Sequence, residues 1–385
     1  MFSERTNWNL EPNRLSRALE VHRAAGKRLF DLTVSNPTEC GFLYEQEHIL
    51  QALANPAALR YDPNPKGLLT AREAVANYYA DCGETVSPED LILTASTSEA
   101  YSYVFRALCN PDDEILIPAP SYPLFEFLSA IQDVKLKRYP LVYDHRWQMD
   151  LHGLEQTVTP RTRGVVVVNP NNPTGHFCTG NDIARLNRIC LERGLALIAD
   201  EVFLDYSLRP GQAKSFAANA GALTFTMSGL SKICGLPQMK LAWLLTTGPQ
   251  EQKTPALDRL EVVADSYLSP GTPVQLAAPA LLQSRRKFQE QVTTRVRKNL
   301  AELDHQLGTQ KSCSRLEVEG GWNGILRVPA TRPDEDLAIE LLRAKDVYAH
   351  PGDFYDFPQS GYLVVSLITL EDEFAEGIAR LLSFF

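Results

Sequence analysis

The residues best suited to chemistry gather around one amine. The stretch Ser228-Gly229-Leu230-Ser231-Lys232-Ile233-Cys234-Gly235-Leu236-Pro237-Gln238-Met239-Lys240 follows an apolar run, Ala222 to Met227, that reads as a buried strand. A primary amine in a turn walled by apolar residues loses hydration, its pKa falls, and its free base can form a Schiff base with a carbonyl. Lys232 is the candidate for that role, and Lys240, eight residues on, offers a second cation. Taken alone, a lysine beside serines is more often a solvated surface residue.

Four upstream loops change that balance. Ala95-Ser96-Thr97-Ser98-Glu99 joins an expected strand to an expected helix. Its small residues allow N–H groups at the helix start to face an anion, although the same residues also suit a simple N-cap. Pro118-Ala119-Pro120-Ser121-Tyr122-Pro123 sets an aromatic in a stiff turn, where Tyr122 can stack on a flat ring or simply pack. Asn169-Pro170-Asn171-Asn172-Pro173-Thr174-Gly175 holds amides at a strand tip with two prolines and a glycine, far more constraint than a connection needs. Ile198-Ala199-Asp200-Glu201-Val202-Phe203 ends an apolar strand in a carboxylate, which is costly to bury without a positive partner. A structural ion pair would also account for Asp200.

These groups need a scaffold that brings strand ends together. Short apolar strands at Leu91–Thr94, Glu114–Ile117, Val165–Val168 and Ala196–Ala199 alternate with helical patterns at Ser98–Leu108, Pro123–Ala130 and Asp182–Arg193. That alternation predicts an α/β fold with a largely parallel sheet covered on both faces, and such sheets bind ligands at their strand C-termini. Upstream, Asn13–Lys27 has helical periodicity, Phe30–Val34 reads as a strand, Ser35-Asn36-Pro37-Thr38 as a loop, and Leu69–Ala80 as a helix. From about Pro273 the chain becomes helical through Leu307, then α+β with strands near Gly324–Val328 and Leu363–Leu367.

Composition narrows the classes. The chain has 385 residues, 44% hydrophobic and 22% charged, which suits a soluble protein of one large and one smaller domain. A net charge of −9 disfavours nucleic acid or an anionic membrane as partner. No apolar run is long enough to span a bilayer, and the first residues lack a signal-peptide core. Seven scattered cysteines without a C-x-x-C pair, and seven histidines without a metal-binding cluster, favour a reducing cytoplasm and no metal.

An anion-binding helix start, a stacking aromatic, an amide donor, a carboxylate, a lysine and a second cation together suit pyridoxal 5′-phosphate. Its phosphate matches the helix start (Thr97, Ser98) and Lys240, its ring Tyr122, its phenolate oxygen Asn172, its ring nitrogen Asp200 and its aldehyde Lys232. The order and spacing resemble the class I/II aminotransferases, fold-type-I pyridoxal-phosphate enzymes, over nearly the whole chain. The resemblance implies a large domain at 41–285 with a mostly parallel sheet of the seven-stranded type. It also implies an N-terminal arm at 1–40 and a small α+β domain completed by 286–385. It further implies a cytoplasmic homodimer in which Tyr61 reaches the partner's cofactor phosphate. Lys232 would bind the cofactor as a Schiff base, then move a proton during ping-pong transfer from an amino donor to a keto acid or other carbonyl acceptor.

The chain departs from that family in ways that matter. Phe203 stands where many relatives carry a tyrosine that donates to the phenolate oxygen, and Lys240 stands where many have arginine. Gly229 replaces a phosphate-binding serine, leaving Ser228 or Ser231 for that role. In Gly361-Tyr362-Leu363-Val364, valine occupies the position of the arginine that grips the substrate carboxylate. Arg327 is a candidate replacement, with Arg60, Arg14 and Arg17 behind it. Asn36, Trp8 and Phe354 are candidates to shape the pocket, although Trp8 and Phe354 equally suit packing. A lyase or decarboxylase on the same scaffold is the alternative chemistry. A non-catalytic regulatory protein is disfavoured by intact Lys232, Asp200 and Asn172.

Overall fold

In the computed structural model, which describes residues 1–385, β1 (Phe30–Asp31) is a short strand whose partner comes late in the chain. The main sheet follows. It comprises β2 (Leu91–Thr94), β3 (Glu114–Ala119), β4 (Lys135–Asp144), β5 (Arg146–Met149), β6 (Thr162–Val168), β7 (Ala196–Asp200), β8 (Thr224–Gly229) and β9 (Ala242–Thr247). Their spatial order is β2-β9-β8-β7-β6-β3-β4-β5. The five strands β4, β3, β6, β7 and β8 run parallel, and β9 is antiparallel to both its neighbours. Because β2 and β8 both oppose β9, the C-terminal ends of β2, β3, β6, β7 and β8 share one edge. The candidate loops all leave from that edge.

Burial on both faces explains the strand sequences. Val165, Val167, Leu197 and Ala199 pack into one layer, while Val166, Val168 and Ile198 pack into the other. The crossover helix Gly180–Arg193 starts in a capping box between Thr179 and Asp182 and stops at Gly194, whose φ of 66° suits a residue without Cβ.

A smaller sheet contains β10 (Ser314–Arg315), β11 (Asn323–Arg327), β13 (His350–Pro351) and β14 (Tyr362–Ser366), in the order β10-β11-β14-β13, while β12 (Val347–Tyr348) pairs with β1. Leu15, Phe30 and Leu32 from the start of the chain pack with Phe374, Ile378 and Leu381 from its end. The helix Thr272–Leu307 serves both halves: Ala278 and Leu282 join the Trp243 core, whereas Phe288, Val292 and Leu303 join the small-sheet core.

Several expectations shift. The first helix is Arg14–Ala24 with Asn13 as its cap, and the strand expected over Phe30–Val34 shrinks to Phe30–Asp31. The main sheet has eight strands rather than seven because β5 folds back on β4. That hairpin opens with Lys135-Leu136-Lys137-Arg138, which carries no apolar run to announce it. β9 and the helix Gln250–Tyr267 are further additions. No helix is long and apolar enough to cross a membrane.

Candidate active site

The shared strand edge and the small sheet enclose a cavity of about 400 Å³. Lys232 enters it from the short helix Leu230–Ile233, directly after β8. Its Nζ sits 4.9 Å from the Trp322 ring centroid and 5.5 Å from that of Phe203. Burial pushes the amine down to about 8, against the opposing pull of Asp200 and Cys40. Tyr206 steadies this turn by donating its hydroxyl to the Lys232 carbonyl at 2.6 Å. Gly229 is required by close approach, since a Cβ there would come within 2.8 Å of the Ala242 Cβ. A serine could not fit without a shift.

Asp200 ends β7 and is buried. Its Oδ2 accepts from the Tyr101 hydroxyl at 3.1 Å, and its Oδ1 accepts from the Val202 N–H at 3.2 Å. Burial raises the carboxyl to about 6, while these hydrogen bonds and Lys232 hold it from rising further. A cationic ring nitrogen facing this carboxylate would supply the positive partner that its burial calls for.

The helix Thr97–Leu108 points its start at the same cavity, with Ser96, Thr97 and Ser98 all in the wall. Ser96 Oγ accepts from the Glu99 N–H at 3.1 Å, and Glu99 Oε2 accepts from the Ala95 N–H at 2.6 Å. This capping arrangement fixes the first turn, whose other N–H groups and positive dipole end suit an anion.

The asparagine-rich turn divides its labour. Asn169 donates to the Lys214 carbonyl and accepts from the Cys178 N–H, and Asn171 Oδ1 accepts from Thr174, so both are structural. Asn172 alone of the three lines the cavity, and its Oδ1 accepts from Asn323 Nδ2 at 2.8 Å. That bond leaves the Asn172 Nδ2 hydrogens as donors. Gly175, at a φ of 71°, lies so close to Gly320 that a Cβ would stand 2.5 Å from its carbonyl oxygen.

Of the other candidates, Tyr122, Phe203 and Ser231 line the cavity. Ser228 does not: it is buried in β8 with its hydroxyl donated to the Glu201 carbonyl at 3.3 Å. Lys240 is exposed in a left-handed conformation, outside the wall but two residues before Ala242, which is in it. Tyr61 is 68% exposed and also outside the wall. Asn36 spends its side-chain oxygen on Thr38 as a cap. Arg327 is exposed outside the cavity wall and lies over Tyr143 and Tyr362 at about 6 Å. It shares a face of β11 with Asn323, but four residues further along, so it lies beyond the cavity. Arg14 pairs with Asp336 and Arg17 with Glu11, both remote from the site. Trp8 packs edge-on against Phe127, and Phe354 packs beside His350.

Trp322, Asn323, Tyr101 and His350 also line the cavity and were not singled out from sequence. Trp322 and Asn323 follow Gly320-Gly321 at the start of a strand, which is the one local signal that could have drawn attention to them. Together the amine, the buried carboxylate, the free amide donor and the capped helix start fit the aldehyde, ring nitrogen, phenolate oxygen and phosphate of pyridoxal 5′-phosphate.

Comparison with known proteins points the same way. The family model for aminotransferase class I and II matches residues 29–378. The glutamate-pyruvate aminotransferase AlaA of Escherichia coli K12 is 27% identical over 357 residues, covering 90% of this chain and 88% of that protein. An alanine aminotransferase of Mycobacterium tuberculosis H37Rv is 27% identical over 374 residues, covering 94% and 86%. The S-alkyl-thiohydroximate lyase SUR1 of Arabidopsis thaliana is 28% identical over 246 residues, covering 63% and 53%. An alanine aminotransferase structure from Pyrococcus furiosus superposes with a TM-score of 0.90 at 22% identity, covering 100% of this chain and 99% of that one, a likeness of fold.

Proposed function

The chain belongs to the aminotransferase class I and II family, and from that premise we propose how its own residues carry out pyridoxal-phosphate-dependent transamination. The observation that carries the proposal is a buried amine lowered to about 8 in the same cavity as a buried carboxylate raised to about 6. Bound pyridoxal 5′-phosphate supplies an aldehyde and an electron-withdrawing ring that takes up the electron pair of a broken C–H bond. Lys232 Nζ, partly neutral at neutral pH, would hold the aldehyde end of the cofactor and would serve as the base and acid that takes and returns the substrate proton. Asp200 presents its carboxylate to the ring nitrogen, held in line by Tyr101. Asn172, oriented by Asn323, would donate from Nδ2 to the phenolate oxygen. Ser96, Thr97, Ser98 and Ser231, which line the cavity, would hold the phosphate, with Lys240 just outside the wall as the accompanying cation.

We further propose a cytoplasmic homodimer with the division 1–40, 41–285 and 286–385, the last boundary lying where the long helix passes from one core to the other. Exposed Leu59 and Tyr61 support a second copy covering this segment, with Tyr61 reaching the phosphate held by that copy. The substrates are a small amino donor and a carbonyl acceptor. Likeness to SUR1 keeps a lyase reading alive; a lyase would release product without accumulating the pyridoxamine form.

Lys232→Ala tests the assignment. The variant should lose the visible band of lysine-linked cofactor and at least about 10²- to 10⁴-fold of the transfer rate. Retention of both would remove Lys232 from the reaction.

A further inference from the structure

The cavity wall contains one lysine, one carboxylate and no arginine. Lys232 and Asp200 both serve the cofactor in the reading above, on which this inference rests, so the subunit has no cation left for a substrate carboxylate. Arginines flanking this side of the cavity are committed elsewhere. Arg138 bonds Asp356 at 2.8 Å and Glu126 at 2.6 Å. Arg295 donates to the carbonyls of Cys40, Ile368 and Thr369. Arg327 shares the β11 face of Asn323 but lies beyond the cavity wall, over Tyr143 and Tyr362.

What replaces the cation is apolar and neutral. Val364 is 1% exposed and lies between Ile325 of β11 and His350 of β13, its register partners in the small sheet. His350 has its Nδ1 3.1 Å from the Tyr355 hydroxyl, and burial keeps the ring below its ordinary pKa, so it is neutral at neutral pH. Leu124, Phe125, Leu128 and Trp322 extend the apolar surface. A carboxylate placed against this wall would be desolvated without an ion partner. Alkyl and aryl groups would gain from burial.

We propose that the amino donor is a small primary amine bearing an aromatic or branched aliphatic group and no carboxylate on the amine-bearing carbon, with Val364 as the specificity-determining residue. The donor loses its nitrogen, one C–H proton and two electrons, and leaves as an aldehyde or ketone whose oxygen comes from water. An uncharged carbonyl acceptor takes up that nitrogen, proton and electron pair, becomes an amine and gives up its oxygen as water. The two half-reactions balance.

The test compares donors that differ only in the carboxylate. Holoenzyme is mixed with 2-phenylethylamine or L-phenylalanine, and with 3-methylbutylamine or L-leucine, and conversion to the pyridoxamine form is followed by absorbance. Each amine should react at least tenfold faster than its amino acid. Independently of turnover, calorimetry should show 3-phenylpropanamide binding more tightly than 3-phenylpropionate. Val364→Arg should reverse both preferences, although the wild-type comparison decides even where that variant does not fold. Faster conversion of the amino acids, or tighter binding of the propionate, overturns the proposal while leaving transamination intact. It would assign carboxylate capture to a cation from a second copy, Arg60 beside Tyr61 being exposed. No conversion by any donor overturns the aminotransferase reading, and this proposal with it.

Discussion

The two walls of the cavity are built on different terms. The main-sheet edge presents polar groups that are each held by a second residue: Asp200 by Tyr101, Asn172 by Asn323, and Ser96 in its cap with Glu99. The small-sheet wall presents Val364, Trp322 and a neutral His350. One wall is preorganised for a single charged cofactor, whereas the other is a mostly apolar surface that selects by shape and by what it cannot pair. In the proposed reading the difference separates chemistry from selection: the reaction belongs to the parallel strand ends, and the choice of donor to the antiparallel strands opposite them.

Substitutions can break that separation. Asp200→Asn should have the largest effect among cofactor-wall variants short of losing Lys232. Removing a charge partner shifts a facing pKa by about 1–3 units, so transfer should fall roughly 10- to 1000-fold. It should fall alike for every donor, because the small-sheet wall is unchanged; steady-state kinetics with two donors checks this. A change in donor preference would show that the walls are not independent. Asn172→Ala removes a donor to a charged oxygen, worth about 1.5–3 kcal/mol, so cofactor affinity should drop roughly 10- to 150-fold in equilibrium titrations. Asn323→Ala, which removes only the residue that orients Asn172, should cost less, about 0.5–1.5 kcal/mol. An equal loss in both variants would mean that Asn323 touches the cofactor itself.

The same division explains what was legible in the sequence. Asp200, Lys232 and Asn172 each follow an apolar strand by a residue or a few, so local pattern alone placed them at one edge. The family's motifs then gave each a role. Tyr101 lies in a helix that reads as core, and its hydroxyl meets Asp200 from 99 residues away. Asn323 meets Asn172 across 151 residues, and His350 meets Val364 through strand pairing. No local periodicity encodes those meetings. Spacing also misled: Ser228 and Arg327 have suitable chemistry, but strand direction and register turn one inward to Glu201 and carry the other beyond the cavity. The absence of arginine at position 364 was visible at once, yet only the fold shows that no other arginine of the subunit takes its place in the wall.

The central claim is that burial makes Lys232 a nucleophile. Its most direct test is the rate at which cofactor-free protein forms the visible lysine-linked band with pyridoxal 5′-phosphate between pH 6 and 10. The amine reacts only as its free base, so the rate should climb with pH and level off above a midpoint near 8, well below the ordinary lysine value of 10.5. Lys232→Ala should give no such band at any pH. A midpoint near 10.5, or a band that survives the substitution, would contradict the account.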